Sequence, residues 1–304
     1  MKNSKTESRT FLVGALCAIG CEILYGLSFL FTKRVTESVR VFPLLGWRFF
    51  IAFFALHLCV ALRIVRIDLK GKSLKPLFLV ALFCPCLYFI GETMGISLTT
   101  ASESGVFLAS IPIASLTASA WFLGKKPTIR QVVGICVTLA GVLATVFATS
   151  ASASLSGAGY AFLTAAVITY ALYSVFVEKA AGFSSAEITY IMLLAGAVFF
   201  GAAAVLEGLA RGDLADTALL PFRDGGFLAA VLYHGIGCSV LAFFLSNESI
   251  SRIGVNGTAA FIGVSTVVSI LSGVVFLRES FTAKQWAATA VILAGVYIAS
   301  SKQA

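Results

Sequence analysis

The sequence predicts an all-α membrane protein, with ten transmembrane helices arranged as two inverted five-helix repeats. Three observations carry that expectation. Of 304 residues, 59% are apolar and only 12% charged, where a soluble domain carries about 25% charged residues. A soluble two-domain enzyme of this length would lack the charge to cover its surface. The apolar residues fall into ten runs, each near the ~20 residues that cross the hydrocarbon of a bilayer. The second half of the chain also repeats the first at a fixed offset.

The runs lie at about 11–32, 43–62, 76–97, 102–123, 130–148, 158–177, 187–207, 226–246, 255–277 and 283–300. They leave short loops and no room for a soluble domain. The first follows a basic start, Met1 to Arg9, and could pass for a signal peptide; Ala18-Ile-Gly-Cys21 even resembles a lipoprotein box. Such a box should be followed by polar chain, whereas Glu22 to Phe31 stays almost wholly apolar, so an uncleaved first span is expected. In the fourth run Pro112 is expected to kink the helix, and its repeat mate Thr266 does not repeat the kink.

The formal charge of +8 comes from small basic clusters between the runs, not from a basic stripe interleaved with aromatics, so nucleic-acid binding is not expected. With ten spans and the N-terminus inside, the inner segments hold 14 Lys and Arg and the outer loops 7, with Arg48 inside the second span. That excess places both termini in the cytoplasm, although Lys33, Arg34 and Arg40 oppose it. All seven cysteines sit within apolar runs, where cysteine behaves as a small hydrophobe. Cys84-Pro-Cys86 has no nearby His or second Cys pair, so neither a disulfide framework nor a metal site is expected.

The repeat is explicit. Moved by 154 positions, Leu87–Val146 lies on Leu241–Ser300 without a gap and with 15 identities in 60 positions. Phe107 falls on Phe261, Ser115 on Ser269, Phe122-Leu123 on Phe276-Leu277, Thr128 on Thr282, Gln131 on Gln285, and Leu139-Ala-Gly-Val142 on Leu293-Ala-Gly-Val296. A weaker match at 145 places Tyr25 on Tyr170, Leu27 on Leu172 and Phe31 on Phe176. The halves are 1–150 and 151–304. Five spans each is an odd number, so the halves would cross the membrane in opposite senses, an architecture that puts a substrate site near the midplane between them.

Tyr25-Gly-Leu-Ser-Phe-Leu-Phe-Thr-Lys33, Trp47-Arg-Phe49, Leu98-Thr-Thr-Ala-Ser102, Phe122-Leu-Gly-Lys125 with Thr128, and Phe276-Leu-Arg-Glu-Ser-Phe-Thr282 resemble the EamA-type members of the drug/metabolite transporter superfamily. The resemblance covers essentially the whole chain. It implies ten helices, cytoplasmic termini, a central cavity lined mainly by the first four helices of each repeat, and peripheral fifth and tenth helices. It also implies export or exchange of small metabolites, amino acids or drugs without ATP hydrolysis. The sequence departs from the family at Lys125, where the family often has the glutamate that the second repeat keeps as Glu279.

Charged groups inside a span cost several kcal/mol and are functional by default. Glu22 lies near the middle of the first span and shares a helix face with Tyr25 and Phe29. It is either a cavity-facing carboxylate that binds an amine or carries a proton, or an acid hydrogen-bonded between helices. Glu92, with Tyr88 one turn before it, is flanked by Gly91 and Gly95, so cavity and close-packing readings compete; its repeat mate is Ser246. Glu103 suits a helix start. Arg48 either snorkels outward or pairs with a carboxylate. His57 is expected at an interface, His234 could line the cavity, and Tyr170 and Tyr173 could form a stacking wall. Asn247 and Asn256 begin glycosylation-like triplets at the expected inner face, where glycosylation does not occur.

No ATP-binding, zinc-hydrolase or serine-hydrolase motif is present. The expectation is a secondary transporter in the cytoplasmic membrane, exporting an amino acid or amphipathic amine by alternating access. Glu22, Tyr25, Tyr88, Glu92, Tyr170, Tyr173 and His234 are its candidate substrate contacts, and Glu22 its candidate proton site. Its partners are a small-molecule substrate and membrane lipid, with a homodimer left open and no cofactor. The alternatives are an intramembrane enzyme using Glu22, Glu92 and His234 as acid/base groups, and a structural membrane subunit, which leaves the midplane carboxylate unexplained.

Overall fold

The computed structural model describes residues 2–35, 39–99, 104, 107–148, 156–277 and 283–300. Glu103 and Glu279 lie outside the described residues. Within them every regular element is helical. Six helices are long and apolar enough to cross a membrane: Ser8–Ser28, Val41–Ala61, Lys75–Leu98, Gly157–Lys179, Ser185–Arg211 and Gly225–Ala259. Phe107–Leu123, Ile129–Ala144 and Trp286–Ser300 are shorter apolar helices. Phe50, Phe54, Val198, Leu206 and Trp121 point large apolar side chains outward, as a lipid-facing surface requires. The protein is a multi-pass membrane protein.

In chain order, α1 is Lys2–Val35, α2 Val41–Ala61, α3 Lys75–Leu98, α4 Ile111–Leu123 and α5 Ile129–Ala148. Then follow α6 Gly157–Lys179, α7 Ser185–Arg211, the short α8 Leu214–Arg223, α9 Gly225–Ala259, α10 Gly263–Leu277 and α11 Ala283–Ser300. Local chemistry sets many of the ends. Ser184 accepts from the Glu187 N–H at 3.2 Å while the Glu187 carboxylate accepts from the Ser184 N–H at 2.8 Å, a reciprocal cap on α7. Thr128 and Gln131 close the same box on α5, at 3.2 and 3.0 Å, which gives the repeated Thr-x-x-Gln a structural reason.

The fourth run, Phe107–Leu123, is interrupted at Ser110, two residues before Pro112, which sits in the first turn of the helix that follows. One sequence expectation is corrected. The eighth span does not end near residue 246 but stays helical to Ile253, where Gly254 (φ 74°, ψ 173°) breaks it before the chain resumes as helix at Val255.

The helices pack in matched pairs. α1 lies against the later part of α9 and against α10, and α6 lies against the later part of α3 and against α4. α2 packs on α7, and α5 on α11. Exchanging α1 with α6, α2 with α7, α3 with α9, α4 with α10 and α5 with α11 turns this set of pairs into itself. Each of α3 and α9 also carries one wide, π-type stretch, Leu82–Leu87 and Tyr233–Leu241, and an offset of 154 brings the first inside the second. α5 and α11 meet through small residues: a Cβ at Gly134 would come within 2.6 Å of the Gly295 carbonyl oxygen.

Candidate functional site

The polar side chains inside the bundle gather where α1, α3 and α6 meet α9 and α10. On α3, Tyr88 and Glu92 stand one turn apart, and the Tyr88 hydroxyl donates to Glu92 Oε1 at 2.7 Å. The Tyr88 ring lies 5.5 Å from that of Tyr170, which meets Tyr173 edge-on at 5.4 Å. Tyr25 of α1 packs against the same cluster. Tyr25, Tyr170 and Glu92 are partly buried, each keeping some accessible surface. Gly91 and Gly95 bring α3 onto the α6 backbone, with a Cβ at Gly91 2.8 Å from the Phe162 carbonyl oxygen. The glycine face of this stretch packs closely, as the Gly91 and Gly95 spacing leads one to expect.

Glu22 is buried, 6% exposed. It lies beside Tyr170 and has the Ser265 hydroxyl of α10 as its hydrogen-bonding neighbour, so it touches both halves of the chain. Tyr173 is anchored more deeply. Its hydroxyl donates to Asn247 Oδ1 at 2.7 Å, and Asn247 Nδ2 donates to Thr189 Oγ1 at 3.0 Å, tying α6, α7 and α9 together.

Arg48 is 8% exposed and does not snorkel out. Its guanidinium lies 4.3 Å from the Phe89 ring centre and 5.4 Å from that of Phe49. Its Nε donates to Ser239 Oγ at 2.8 Å, and that hydroxyl donates to the His234 carbonyl oxygen at 2.9 Å. His234 is buried on the Arg48 side, where Gly235 lets α9 close on the α2 backbone. His57 holds the Tyr190 hydroxyl through Nδ1 at 2.9 Å at an exposed position, as an interfacial residue would.

Sequence reasoning missed Ser239, Ser265 and the aromatic floor of Phe49, Phe89, Phe200 and Phe243. One signal was available: Phe89 and Phe243 are an identical pair at the 154 offset. Asn247, read as an inner-face residue, is fully buried. Lys125, where the family pattern breaks, forms an ion pair with Glu178, whose other oxygen accepts from the Val255 N–H at 2.7 Å.

Chemically, this part of the bundle gathers phenol hydroxyls, two carboxyl groups and one guanidinium away from bulk water. Such groups can hold a small polar solute, and a carboxylate there can exchange a proton. Among the described residues no His, Cys, Asp and Glu group is placed to hold a metal ion.

The model of the EamA-like transporter family matches the chain twice, over residues 12–147 and 157–301. The chain is 34% identical over 286 residues to the uncharacterized transporter YcxC of Bacillus subtilis (strain 168), covering 92% of this chain and 90% of that protein. At 22% identity over 282 residues, 91% of each, it is similar to a probable amino-acid metabolite efflux pump of Salmonella typhimurium (strain LT2). One crystal structure shares the fold with a TM-score of 0.73 at 21% identity, covering 96% of this chain and 97% of that one. The family and these relatives are named as transporters, which sets aside an acid/base enzyme in the membrane. The chain belongs to the EamA-like transporter family.

Proposed function

We propose that the protein is a ten-span secondary transporter of the cytoplasmic membrane, with residues 1–150 and 151–304 as inverted repeats and both termini in the cytoplasm. It exports an amino acid or amphipathic amine by alternating access. The solute binds among Tyr25, Tyr88, Glu92, Tyr170 and Tyr173, with His234 on the Arg48 side, and Glu22 carries the coupled proton. The observation that supports this reading is a contact between the halves: Tyr88, which donates to Glu92 on α3, packs on Tyr170 and through it on Tyr173 of α6. The exchange symmetry of the helix pairs supports inverted repeats, because halves that swap partners can rock about the seam. The name of the Salmonella relative supports an amino-acid metabolite as cargo.

The test is flux of labelled amino acids and amines in proteoliposomes, with and without a pH gradient. Wild-type protein is expected to accumulate at least one of them in response to the gradient. Glu22→Gln, which removes the titrating proton and little else, is expected to reduce the gradient-driven component at least tenfold while leaving exchange measurable. Unchanged gradient dependence in this variant, for every compound moved, would contradict the role given to Glu22.

A further inference from the structure

Arg48 poses a question that the tyrosines do not answer. A buried guanidinium is costly in a membrane interior unless its charge is compensated. Among the described residues, its one hydrogen-bond acceptor is Ser239 Oγ, at 2.8 Å, and no carboxylate forms an ion pair with it. The rest of its compensation is the faces of Phe89 and Phe49, an interaction that orients a cation without neutralising it. Stacking on Phe89 also fixes the plane of the guanidinium. Its Nη hydrogens form a preset fork, the geometry that matches a carboxylate with two parallel hydrogen bonds.

Glu92 stands one turn beyond Phe89 on the same helix. Arg48 and Glu92 act on each other, yet they do not close to the 4.0 Å of an ion pair. Glu92 Oε1 takes the Tyr88 hydroxyl, and among the described residues its second oxygen has no protein donor. A guanidinium and a carboxyl group thus flank the Tyr88–Phe89 pair, each incompletely paired by protein. Phe89 lies one residue from Tyr88 and carries the guanidinium, so α3 positions both poles at once.

We infer that Arg48 and Glu92 form a two-pole subsite for a zwitterion, with Arg48 taking the carboxylate and Glu92 the ammonium of an α-amino acid. The inference rests on the transport reading above and narrows it: an amine lacking the carboxylate is the poorer ligand. A zwitterion completes both unpaired charges when it bridges them. A simple amine satisfies Glu92 but leaves Arg48 uncompensated, with added positive charge beside it. The selectivity therefore comes from the cost of a desolvated guanidinium without an anion.

Matched compounds test this in reconstituted protein: L-phenylalanine, its methyl ester and 2-phenylethylamine, with L-leucine, its methyl ester and isoamylamine as a second series. Each is measured as a competitor of exchange and by direct binding. In wild-type protein the amino acid is expected to bind at least tenfold tighter than its ester or amine. Arg48→Gln is expected to lose that preference, weakening the amino acid tenfold or more and leaving the amine unchanged or improved. Arg48→Lys, which keeps the charge and loses the fork, should retain part of it. The ester comparison needs no variant, so the inference stays testable if Arg48→Gln fails to fold. Equal binding of acid, ester and amine by wild-type protein overturns the Arg48 assignment and leaves the transport reading standing. So does an equal loss for acid and amine in a folded Arg48→Gln. Binding of none of these compounds by folded wild-type protein removes the amino-acid-or-amine reading, and the inference with it.

Discussion

Tyr173 illustrates how single side chains stabilise this bundle. Its ring packs in the core at 2% exposure, and its hydroxyl donates to Asn247, which in turn donates to Thr189. Tyr173→Phe keeps the ring and leaves Asn247 Oδ1 without that donor, at a cost of about 1–3 kcal/mol for the unsatisfied buried acceptor. Thermal unfolding in detergent should fall by several degrees. No change would mean that Asn247 finds another donor. The identities of these residues were readable in the sequence, but their directions were not. Arg48 could point outward or inward from its place in the span, and only the packing of α2 on α7 and α9 decides. Asn247 looked like a loop residue because Ser246-Asn247-Glu248-Ser249 is polar. In the folded chain these groups find partners, Glu248 in Ser185 of α7 at 2.5 Å and Ser249 in Thr258, beyond the Gly254 break, at 2.8 Å, so the helix continues through them.

At the scale of elements, the break within α9 at Gly254 is tightly constrained. Gly254 adopts φ 74° and ψ 173°, a region essentially closed to residues with a Cβ. A Cβ there would also come within 3.1 Å of Glu178 Oε2, the atom that accepts from the Val255 N–H. Gly254→Ala is expected to cost about 1–3 kcal/mol. Glu178→Gln keeps an acceptor for Val255 and loses only the partly exposed ion pair with Lys125, a contribution of about 1 kcal/mol or less. Thermal unfolding in detergent should rank Gly254→Ala well below Glu178→Gln and wild type. The reverse order would contradict this account of the break. Span existence was legible from apolar runs, because crossing a bilayer sets a minimum length. Span ends were less so, because a polar quartet ends a helix only where tertiary partners are missing. Pro112 starts α4, and the polar quartet lies inside α9.

For the whole molecule, the repeat at an offset of 154 was legible because it survives without a gap through the Thr-x-x-Gln cap. The partner exchange between halves was not, since offset says nothing of which helices touch. The halves also differ in chemistry: Glu92 has Ser246 as its mate, and Lys125 stands where the second repeat has Glu279. The seam therefore has one acidic and one neutral side, which suits binding a polar solute more than a symmetric pore. The central claim is that this seam opens alternately to the two sides of the membrane. Tyr170 lies in the tyrosine cluster with part of its surface accessible, so Tyr170→Cys, in a background with the seven native cysteines replaced, reports on access. Alkylation by a membrane-impermeant maleimide is measured in right-side-out and in inverted vesicles, with transport activity confirmed in each. Alternating access predicts labelling from both sides, with added substrate shifting the two rates. Labelling from one side alone, at a rate that substrate does not alter, would contradict it.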